Sequence, residues 1–330
     1  MEIVSKTCLK TTKVYDAYWK FACERMSVYH KRIKEYKSPW TEDEILIRYK
    51  FTNAYRVIDR VSQYLIREII IPDEKNRTDL RDKIFRILLF KTFNRIETWE
   101  TLRDQIGDIS WHNYSFKKFN EVLSQALSHN HRIYSAAYIM ASGKKQFGHA
   151  RKHENHLELL CHIIKDHFAE KVINSKQMGD VFSLLKSYPT IGNFLAYQYA
   201  IDINYSSITN FSEMEFVKAG PGAIDGINKC FSHTGKYTEE DIIRYVAEQQ
   251  EHEFERLGLI FPSLYGRKLM LIDCQNIFCE IGKYARVAFP DFSGTSNRIK
   301  IKQLYKISHK IELPCFPKKW NIIIPLKDTK

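Results

Sequence analysis

Two acidic residues, two positions apart, form the first pattern that could carry acid–base chemistry. Glu213 and Glu215 lie in the segment 211–226, just before a Gly-Pro-Gly sequence at 220–222. Close carboxylates can have their pKa values driven apart, so that one donates a proton while the other accepts one. An ordinary loop is the alternative explanation.

A second acidic pattern lies on a helix predicted toward the C-terminus. Asp273, Asn276, Glu280 and Lys283 are spaced at i, i+3, i+7 and i+10, beside an apolar stripe. A polar row that adjoins an apolar face is expected to be partly buried, and buried charges are either paired or functional. Asp273 and Glu280 are therefore catalytic candidates, with a purely structural Glu280–Lys283 pair as the alternative.

The segment 185–198 has the pattern of two helices joined by a tight turn. An apolar helix end is followed by Pro189, by Ile191 and Gly192, and by a new helix that begins near Asn193. The glycine would permit the tight turn, and the exposed N–H groups at the start of the second helix can bind a DNA phosphate. This order is typical of a helix-hairpin-helix motif; an ordinary helical turn is the alternative.

A row of polar residues with helical spacing forms a further candidate surface for DNA. Asn53, Arg56, Arg60 and Gln63 fall at i, i+3, i+7 and i+10, which would place them on one helix face. The two arginines could bind phosphate, with Asp59 orienting one of them. A solvated polar face is the alternative.

The Gly-Pro-Gly sequence at 220–222 is expected to open a helix whose first N–H groups are unpaired. Such groups can face an anion, with Lys218, Gly220 and Gly222 as candidate contacts. The spacing does not match a dinucleotide-binding fingerprint, and no clear strand precedes it.

Composition limits the fold and the kind of partner. The chain has 13 glycines and 9 prolines in 330 residues, well below the usual combined share of about 12%. This scarcity of helix breakers favours long helices, and 44% hydrophobic residues suffice for a core. The net charge of +12 favours a polyanionic partner, with nucleic acid as the first candidate.

Several function classes are excluded by missing patterns. The N-terminus has no apolar signal region, and no apolar run is long enough to span a bilayer, so we expect a cytoplasmic protein without membrane contact. The seven cysteines include no CxxC, and the histidines between 149 and 167 do not complete a metal-site pattern. No GxxxxGK[S/T] occurs, so this is not a P-loop kinase. We therefore predict neither a metal nor a cofactor.

The hydrophobic pattern predicts a mainly α fold. Helices are expected at 14–36, 41–71, 78–97, 115–128, 153–174, 178–187, 238–256 and 266–288, with a polar turn at 72–76 and one candidate strand at 322–324. The predicted organisation is a helical extension at 1–39, a helical domain at 40–300 with its hairpin at 185–200, and a basic tail at 301–330 packing on that domain.

Five stretches together resemble the α-glutamyl/putrescinyl thymine pyrophosphorylase family. That family belongs to the helix-hairpin-helix DNA glycosylase superfamily and is related to the helical domain of hydroxymethyluracil DNA kinases. The stretches that carry the resemblance are 51–60 (FTNAYRVIDR), 132–140 (RIYSAAYIM), 188–204, 219–223 (AGPGA) and 273–286. The resemblance covers most of the chain between residues 40 and 300.

The resemblance implies a glycosylase-like fold of two closely packed helical lobes with a short irregular basic C-terminal region. It also implies action on a hypermodified pyrimidine extruded from DNA. The preferred hypothesis is a monofunctional glycosylase that removes a base such as glucosylated 5-hydroxymethylcytosine from phage DNA in anti-phage defence. The alternative is a phage transferase that replaces an activated group on 5-hydroxymethyluracil with an amine or amino acid. A third reading is an inactive DNA-binding module of the same fold. The predicted partner is double-stranded DNA with modified pyrimidines, bound by a monomer.

The superfamily pattern also suggests roles for individual positions. A Schiff-base lysine would stand two positions after the hairpin glycine, where this chain has Phe194, so water is the expected nucleophile of an excision. The superfamily's catalytic aspartate would lie about twenty residues past that glycine, where this chain has Glu213 and Glu215; Asp273 and Glu280 are the other candidate carboxylates. The candidate DNA and base contacts are Asn53, Arg56, Asp59, Arg60, Gln63, Tyr138, Ile191, Gly192, Asn193, Gln198, Lys218, Gly220, Gly222, Gln275, Asn276, Lys283 and Arg286.

Overall fold

The computed structural model describes residues 9–296, 298–307 and 311–325, and the chain is mainly helical, as predicted. Parts of the predicted extension at 1–39 and of the predicted tail at 301–330 lie outside the described residues. The α-helices of the described residues are α1 (Lys13–Ile33), α2 (Glu44–Arg48), α3 (Arg60–Tyr64), α4 (Ile71–Lys75), α5 (Leu80–Phe93), α6 (Ile96–Ile106), α7 (Phe116–Ser128), α8 (Lys144–Phe147), α9 (Lys152–Lys165), α10 (Phe168–Ile173), α11 (Met178–Ser187), α12 (Asn193–Asn204), α13 (Pro221–Cys230), α14 (Glu239–Arg256) and α15 (Leu271–Ala288). In that part of the chain, no helix is long and apolar enough to cross a membrane.

The chain divides into two compact units. Unit 1 comprises residues 1–59, 216–314 and 322–330, and unit 2 comprises residues 60–215 and 315–321. Unit 1 holds α1, α2 and α13 to α15, and unit 2 holds α3 to α12.

Unit 1 is built around α1 and α15. The strands β1 (Lys10–Thr11) and β2 (Phe231–His233) pair in an antiparallel sense next to the start of α1. Trp19 of α1 is fully buried, and its ring meets that of Phe254 of α14 edge to face at 5.0 Å. Contacts of this kind bury large apolar surfaces, which is the main favourable term in folding.

Unit 2 is built around α5, whose second half is almost wholly buried and which packs against α9 and α12. Phe85 of α5 is fully buried among the rings of Trp111, Tyr114 and Phe119. The helix ends at Asn94, whose left-handed backbone (φ 49°) stops the helical hydrogen-bond ladder.

The prediction of one helix over 41–71 is wrong. After α2 the backbone is extended at Tyr49, a 3₁₀ turn spans Arg56–Ile58, and α3 begins only at Arg60. Residues 51–59 are held by side-chain hydrogen bonds from distant parts of unit 1 rather than by a helical ladder, as described below. The four polar residues of the predicted row therefore do not share one helix face.

Four smaller predictions are also corrected. The predicted turn at 72–76 is helical as far as Lys75, because α3 continues through a π-helical segment, Leu65–Ile70, into α4. The predicted helix at 153–174 is interrupted at His167, which has a left-handed backbone (φ 56°). The last long helix begins at Leu271 rather than at 266, and residues 322–324 form no strand. The helices predicted near 14–36, 115–128, 178–187 and 238–256 are confirmed, and the one predicted at 78–97 is confirmed as far as Phe93, where the left-handed Asn94 ends it.

Candidate functional site

The predicted hairpin is present in unit 2, but its turn differs from the expectation. Helices α11 and α12 pack against each other across the turn at 188–192. The left-handed residue of this turn is Thr190 (φ 67°), whereas Gly192 has φ −83°, which any residue can adopt. Gly192 and Asn193 are exposed, and Ile191 is buried. The turn therefore does not require a glycine at position 192, and no side chain caps the start of α12.

One face of α12 leads from this exposed turn into the interior of unit 2. Phe194, Gln198 and Asp202 are spaced at i, i+4 and i+8, so they share one face of the helix. Phe194 is half-buried, while Gln198 and Asp202 are both 0% exposed. A fully buried carboxylate is rare unless it is paired.

The partner of Asp202 is a lysine from α5. The ammonium Nζ of Lys91 lies 3.2 Å from Asp202 Oδ2 and donates a hydrogen bond of 2.6 Å to Asn94 Oδ1. Lys91 is 2% exposed. Burial of both charges is expensive, and such pairs are retained where their geometry is good or their chemistry is used.

Tyr138 covers this pair and links it to the hairpin. Its ring centroid lies 4.7 Å from Lys91 Nζ, and the ring stacks on Phe194 at 5.5 Å with an interplanar angle of 20°. Tyr138 has a left-handed backbone (φ 58°), a conformation that costs energy for a residue with a large side chain. Asn94 Nδ2 donates to Ser135 Oγ in the same loop, which ties the position of Tyr138 to the end of α5.

We use the name α12 column for a group of five residues. Phe194, Gln198 and Asp202 belong to α12, Lys91 comes from α5, and Tyr138 comes from the loop between α7 and α8. The column contains two aromatic rings that stack on each other, an amide, and a carboxylate and an ammonium of the kind used in proton transfer and charge stabilisation. Tyr138 and Gln198 were predicted; Lys91, Phe194 and Asp202 were missed as site residues. The signal that could have found the ionic pair is Asp202, the one charged residue of α12, together with Lys91 in the apolar second half of α5.

The two other predicted groups in unit 2 have different surroundings. Glu213 is buried and Glu215 is exposed, in a turn that follows α12. Arg60 is exposed and lies 3.6 Å from Glu97. Gln63 exchanges hydrogen bonds with the backbone of Cys315, donating to its carbonyl at 3.0 Å and accepting from its N–H at 2.7 Å. Gln63 therefore anchors the C-terminal segment 315–321 within unit 2.

In unit 1, the predicted acidic residues of α15 anchor the loop 51–59. Asp273 accepts hydrogen bonds from the backbone N–H of Arg56 (2.8 Å) and of Met270 (3.0 Å). Glu280 accepts from the backbone N–H of Thr52 at 3.0 Å and pairs with Lys283 at 2.7 Å. Main-chain hydrogen bonds of this kind are a structural use of a carboxylate.

The predicted polar residues of the loop are themselves enclosed. Asn53 accepts from Arg25 at 3.0 Å and donates to the carbonyl of Ile58 at 3.0 Å, and its N–H donates to Asp59 at 3.0 Å. Arg56 is 1% exposed, so its guanidinium does not lie on the surface. The interpretation of this row as an exposed phosphate-binding face is therefore not supported.

The remaining predicted residues of unit 1 are spread over α13 and α15. Gln275 is buried and Asn276 is half-buried, while Arg286 approaches Asp225 at 3.9 Å. The Gly-Pro-Gly sequence does open α13, as predicted. However, Glu240 already supplies a carboxylate there, accepting from the N–H of Ala219 at 3.0 Å and pairing with Lys218 at 2.6 Å.

The loop 51–59 also contains an aspartate, Asp59, whose pKa is shifted. Burial raises the pKa of Asp59 to about 7, and the charge of Glu280 acts in the same direction. The hydrogen bond from the Asn53 N–H and the charges of Arg56 and Arg25 oppose this rise only in part. Asp59 therefore takes up a proton in the folded chain at a pH where an exposed aspartate is ionised.

Replacing Asp59 with asparagine is expected to change how stability depends on pH. Between about pH 4 and about pH 7, the unfolded chain loses the Asp59 proton that the folded chain keeps, so wild-type stability falls as pH rises. The amide has no such proton, so the stability of D59N relative to wild type rises across this window and is level above it. Urea denaturation at a series of pH values measures this. The exposed Asp291→Asn variant is the control, and a pH-independent difference between D59N and wild type would contradict the assignment.

Comparison with known proteins identifies the family. The family described as "5-hmdU DNA kinase, helical domain" matches residues 12–294. A 5-hmdU DNA kinase of Bacillus phage SP10 is 26% identical over 288 residues, which cover 82% of this chain and 45% of the relative. This chain thus spans less than half of that relative's length. No solved structure gives a significant match. The matches support the predicted relation to enzymes of modified phage DNA, but they do not single out the glycosylase superfamily. The chain belongs to the family of 5-hmdU DNA kinase helical domains.

Proposed function

We propose that this chain is an enzyme of phage DNA hypermodification that binds DNA through its hairpin and acts on an extruded 5-hydroxymethylpyrimidine. The observation that carries the proposal is the α12 column, which leads from the exposed turn at Gly192 and Asn193 to the buried pair of Lys91 and Asp202. The kinship with a 5-hmdU DNA kinase supports the choice of base.

The column offers a route for a base taken out of the duplex. The free N–H groups at the start of α12 hold a backbone phosphate, which fixes the strand beside the column. The base displaces the half-buried Tyr138 side chain from its stack on Phe194, stacks on the Phe194 ring in its place and so reaches the ionic pair. Base extrusion is required because the 5-substituent must enter a site of defined geometry.

The chemistry best matched to this pair is substitution at the 5-methylene carbon. An amine attacks the carbon, the bond to an activated oxygen leaving group breaks, and Asp202 accepts the proton that the amine loses. Lys91 stabilises the negative charge that develops on the leaving group. In this proposal the activating group is already on the DNA when the amine attacks.

Excision of the base, the preferred hypothesis from the sequence, now ranks second. The comparisons match a base-modifying kinase and name no glycosylase. A buried carboxylate could also activate water at the sugar carbon, so the two reactions must be separated by their products.

The decisive experiment uses duplexes that differ at one position, which carries thymine, 5-hydroxymethyluracil or 5-(phosphorylated hydroxymethyl)uracil. Each is incubated with the chain with and without a primary amine or amino acid. We expect a mass increase of the nucleoside only for the phosphorylated base with the amine, and a strand resistant to alkali. Alkali-labile strands would instead establish excision. An unchanged duplex with all donors would overturn the proposal of an enzyme.

The variant Tyr138→Asn tests the role of the Tyr138 ring. Asparagine tolerates the left-handed backbone at this position, so the fold should be retained while product formation falls at least tenfold.

A second variant separates DNA binding from folding. Asn193→Asp adds a carboxylate at the start of α12, where it interacts favourably with the helix dipole and repels a phosphate. We expect unchanged or slightly higher thermal stability and at least a tenfold weaker affinity for duplex DNA by fluorescence anisotropy. Gln105→Glu adds the same charge at an exposed position of α6 and should change affinity much less. Equal losses in the two variants would show that the hairpin is not the phosphate-binding element.

A further inference from the structure

A pocket in unit 2 that the proposed chemistry does not use combines two cations with hydroxyl and apolar groups. It has a volume of about 540 Å³ and lies between the end of α7 and the start of α9. This volume falls within the usual range of pockets for small molecules, about 300–1,000 Å³. Its polar lining includes Ser124, Arg151, Lys152 and His153.

Among the residues that the structure describes, no ion pair neutralises the two cations of this pocket. Within residues 9–296, 298–307 and 311–325, neither Arg151 nor Lys152 makes an ion pair. The nearest acid in sequence, Glu154, makes no ion pair with either side chain: its carboxylate accepts from Asn120 Nδ2 at 3.3 Å and from the backbone N–H of Arg151 at 3.1 Å. Lys152 Nζ is held 4.7 Å from the centre of the Tyr134 ring. Burial also lowers the pKa of Lys152, and an anion beside the ammonium would relieve that cost.

The serine and histidine of the pocket are not a nucleophile and its base. His153 Nε2 lies 2.8 Å from Asn120 Oδ1 and 3.2 Å from Ser124 Oγ. The side-chain nitrogen of Asn120 faces the Glu154 carboxylate, which can only accept, so its oxygen faces the histidine. His153 Nε2 therefore carries a proton and cannot take one from Ser124. The ring and the hydroxyl, which itself donates to Asn120 Oδ1 at 3.2 Å, are therefore held by hydrogen bonds within the protein.

We propose that this pocket binds a nucleoside phosphate. The guanidinium of Arg151 and the ammonium of Lys152 meet the phosphate. The apolar side chains of Leu127 and Ile133 line the same pocket and receive the nucleoside. This site stands apart from the α12 column and does not depend on the function proposed for it. The nucleoside phosphate comes either from the free nucleotide pool or from the end of a DNA strand.

Calorimetric titration of the whole chain with thymidine 5′-monophosphate, inorganic phosphate and a 5′-phosphorylated trinucleotide tests this proposal. We expect the nucleotide to bind at least tenfold more tightly than phosphate. If the mononucleotide binds more tightly than the trinucleotide, the natural ligand comes from the free nucleotide pool. If the trinucleotide binds more tightly, the ligand is the end of a DNA strand. Failure of all three to bind at millimolar concentration would overturn the proposal.

Three variants assign the binding to the pocket. Lys152→Met should weaken nucleotide binding at least tenfold, whereas Lys165→Met, at an exposed position on the same helix, should not. Leu127→Trp, at a position 40% exposed, fills the pocket without changing charge and should also weaken binding at least tenfold. Equal affinity of K152M and wild type would overturn the assignment. Loss of base modification by the Tyr138→Asn variant with nucleotide binding intact would confirm that the two sites are separate.

Discussion

Replacing Asp202 with alanine is expected to lower the free energy of unfolding by about 3–5 kcal/mol, because it leaves the Lys91 ammonium in the interior without its carboxylate. Lys91 is 2% exposed and Asp202 is 0% exposed, and 3.2 Å separates Lys91 Nζ from Asp202 Oδ2. The hydrogen bond to Asn94 and the ring of Tyr138 remain, but neither carries a formal negative charge. Removing one member of a buried pair costs far more than the pair itself contributes.

Urea denaturation of two further variants shows whether charge is the cause. The double variant Lys91→Met, Asp202→Leu has no buried charge and should recover most of the lost stability. Glu251→Ala breaks an exposed pair with Lys268, whose side chains are 74% and 61% exposed, and should cost less than about 1 kcal/mol. If D202A loses no more free energy of unfolding than E251A does, then Lys91 and Asp202 do not form an ion pair in solution.

The double variant also separates stability from chemistry. If it folds as well as wild type but forms no modified base, then the pair is retained for its reaction and not for folding. A well-packed apolar replacement often matches or exceeds the stability of a buried ion pair, so folding alone gives little reason to keep these two charges. This result would support a role for Asp202 in proton transfer.

The helices of this chain were largely predictable, because their signals are local. Helix α7 shows the periodic apolar positions Phe119, Val122 and Leu123, and Ser115 caps its start. The segment 51–59 was not predictable, because its shape depends on hydrogen bonds to Asp273 and Glu280, more than two hundred residues away in the sequence. Side chains at helical spacing therefore suggested a helix that tertiary contacts prevent.

The candidate site was predictable only in part, for the same reason. Tyr138 and Gln198 were included in the predicted set, but the pair of Lys91 and Asp202 joins two helices that are remote in sequence. Helix α12 alone has one charged residue in an otherwise uncharged sequence, whereas Lys91 is one of five charged residues of α5. Only the packing of α5 against α12 shows that the two charges meet. By contrast, Gly192 had the expected position but not the expected backbone conformation.

Replacing Gly226 with alanine is expected to destabilise unit 1 by about 2–3 kcal/mol through overpacking. A Cβ at this position would lie 1.9 Å from the carbonyl oxygen of Phe278, so α13 and α15 would have to move apart. The helices meet backbone to backbone here, since a Cβ on Gly282 would lie 3.0 Å from Gly226. Alanine is favoured over glycine in a helix by about 1 kcal/mol, and the predicted loss is net of this gain.

Two other glycines provide a graded control for this contact. A Cβ on Gly222 would meet the Cys279 Sγ at 2.3 Å, and because a thiol can rotate away, Gly222→Ala should cost less than Gly226→Ala. A Cβ on Gly192 would meet nothing within 4 Å, so Gly192→Ala should be close to neutral. Thermal denaturation should therefore show the largest loss of stability for G226A, a smaller loss for G222A and almost none for G192A. A neutral G226A would mean that α13 and α15 are farther apart in solution. If G192A is as stable as wild type but binds DNA more weakly, then the backbone at Gly192 contacts the DNA phosphate. Gly226, by contrast, would be required for the packing of α13 against α15.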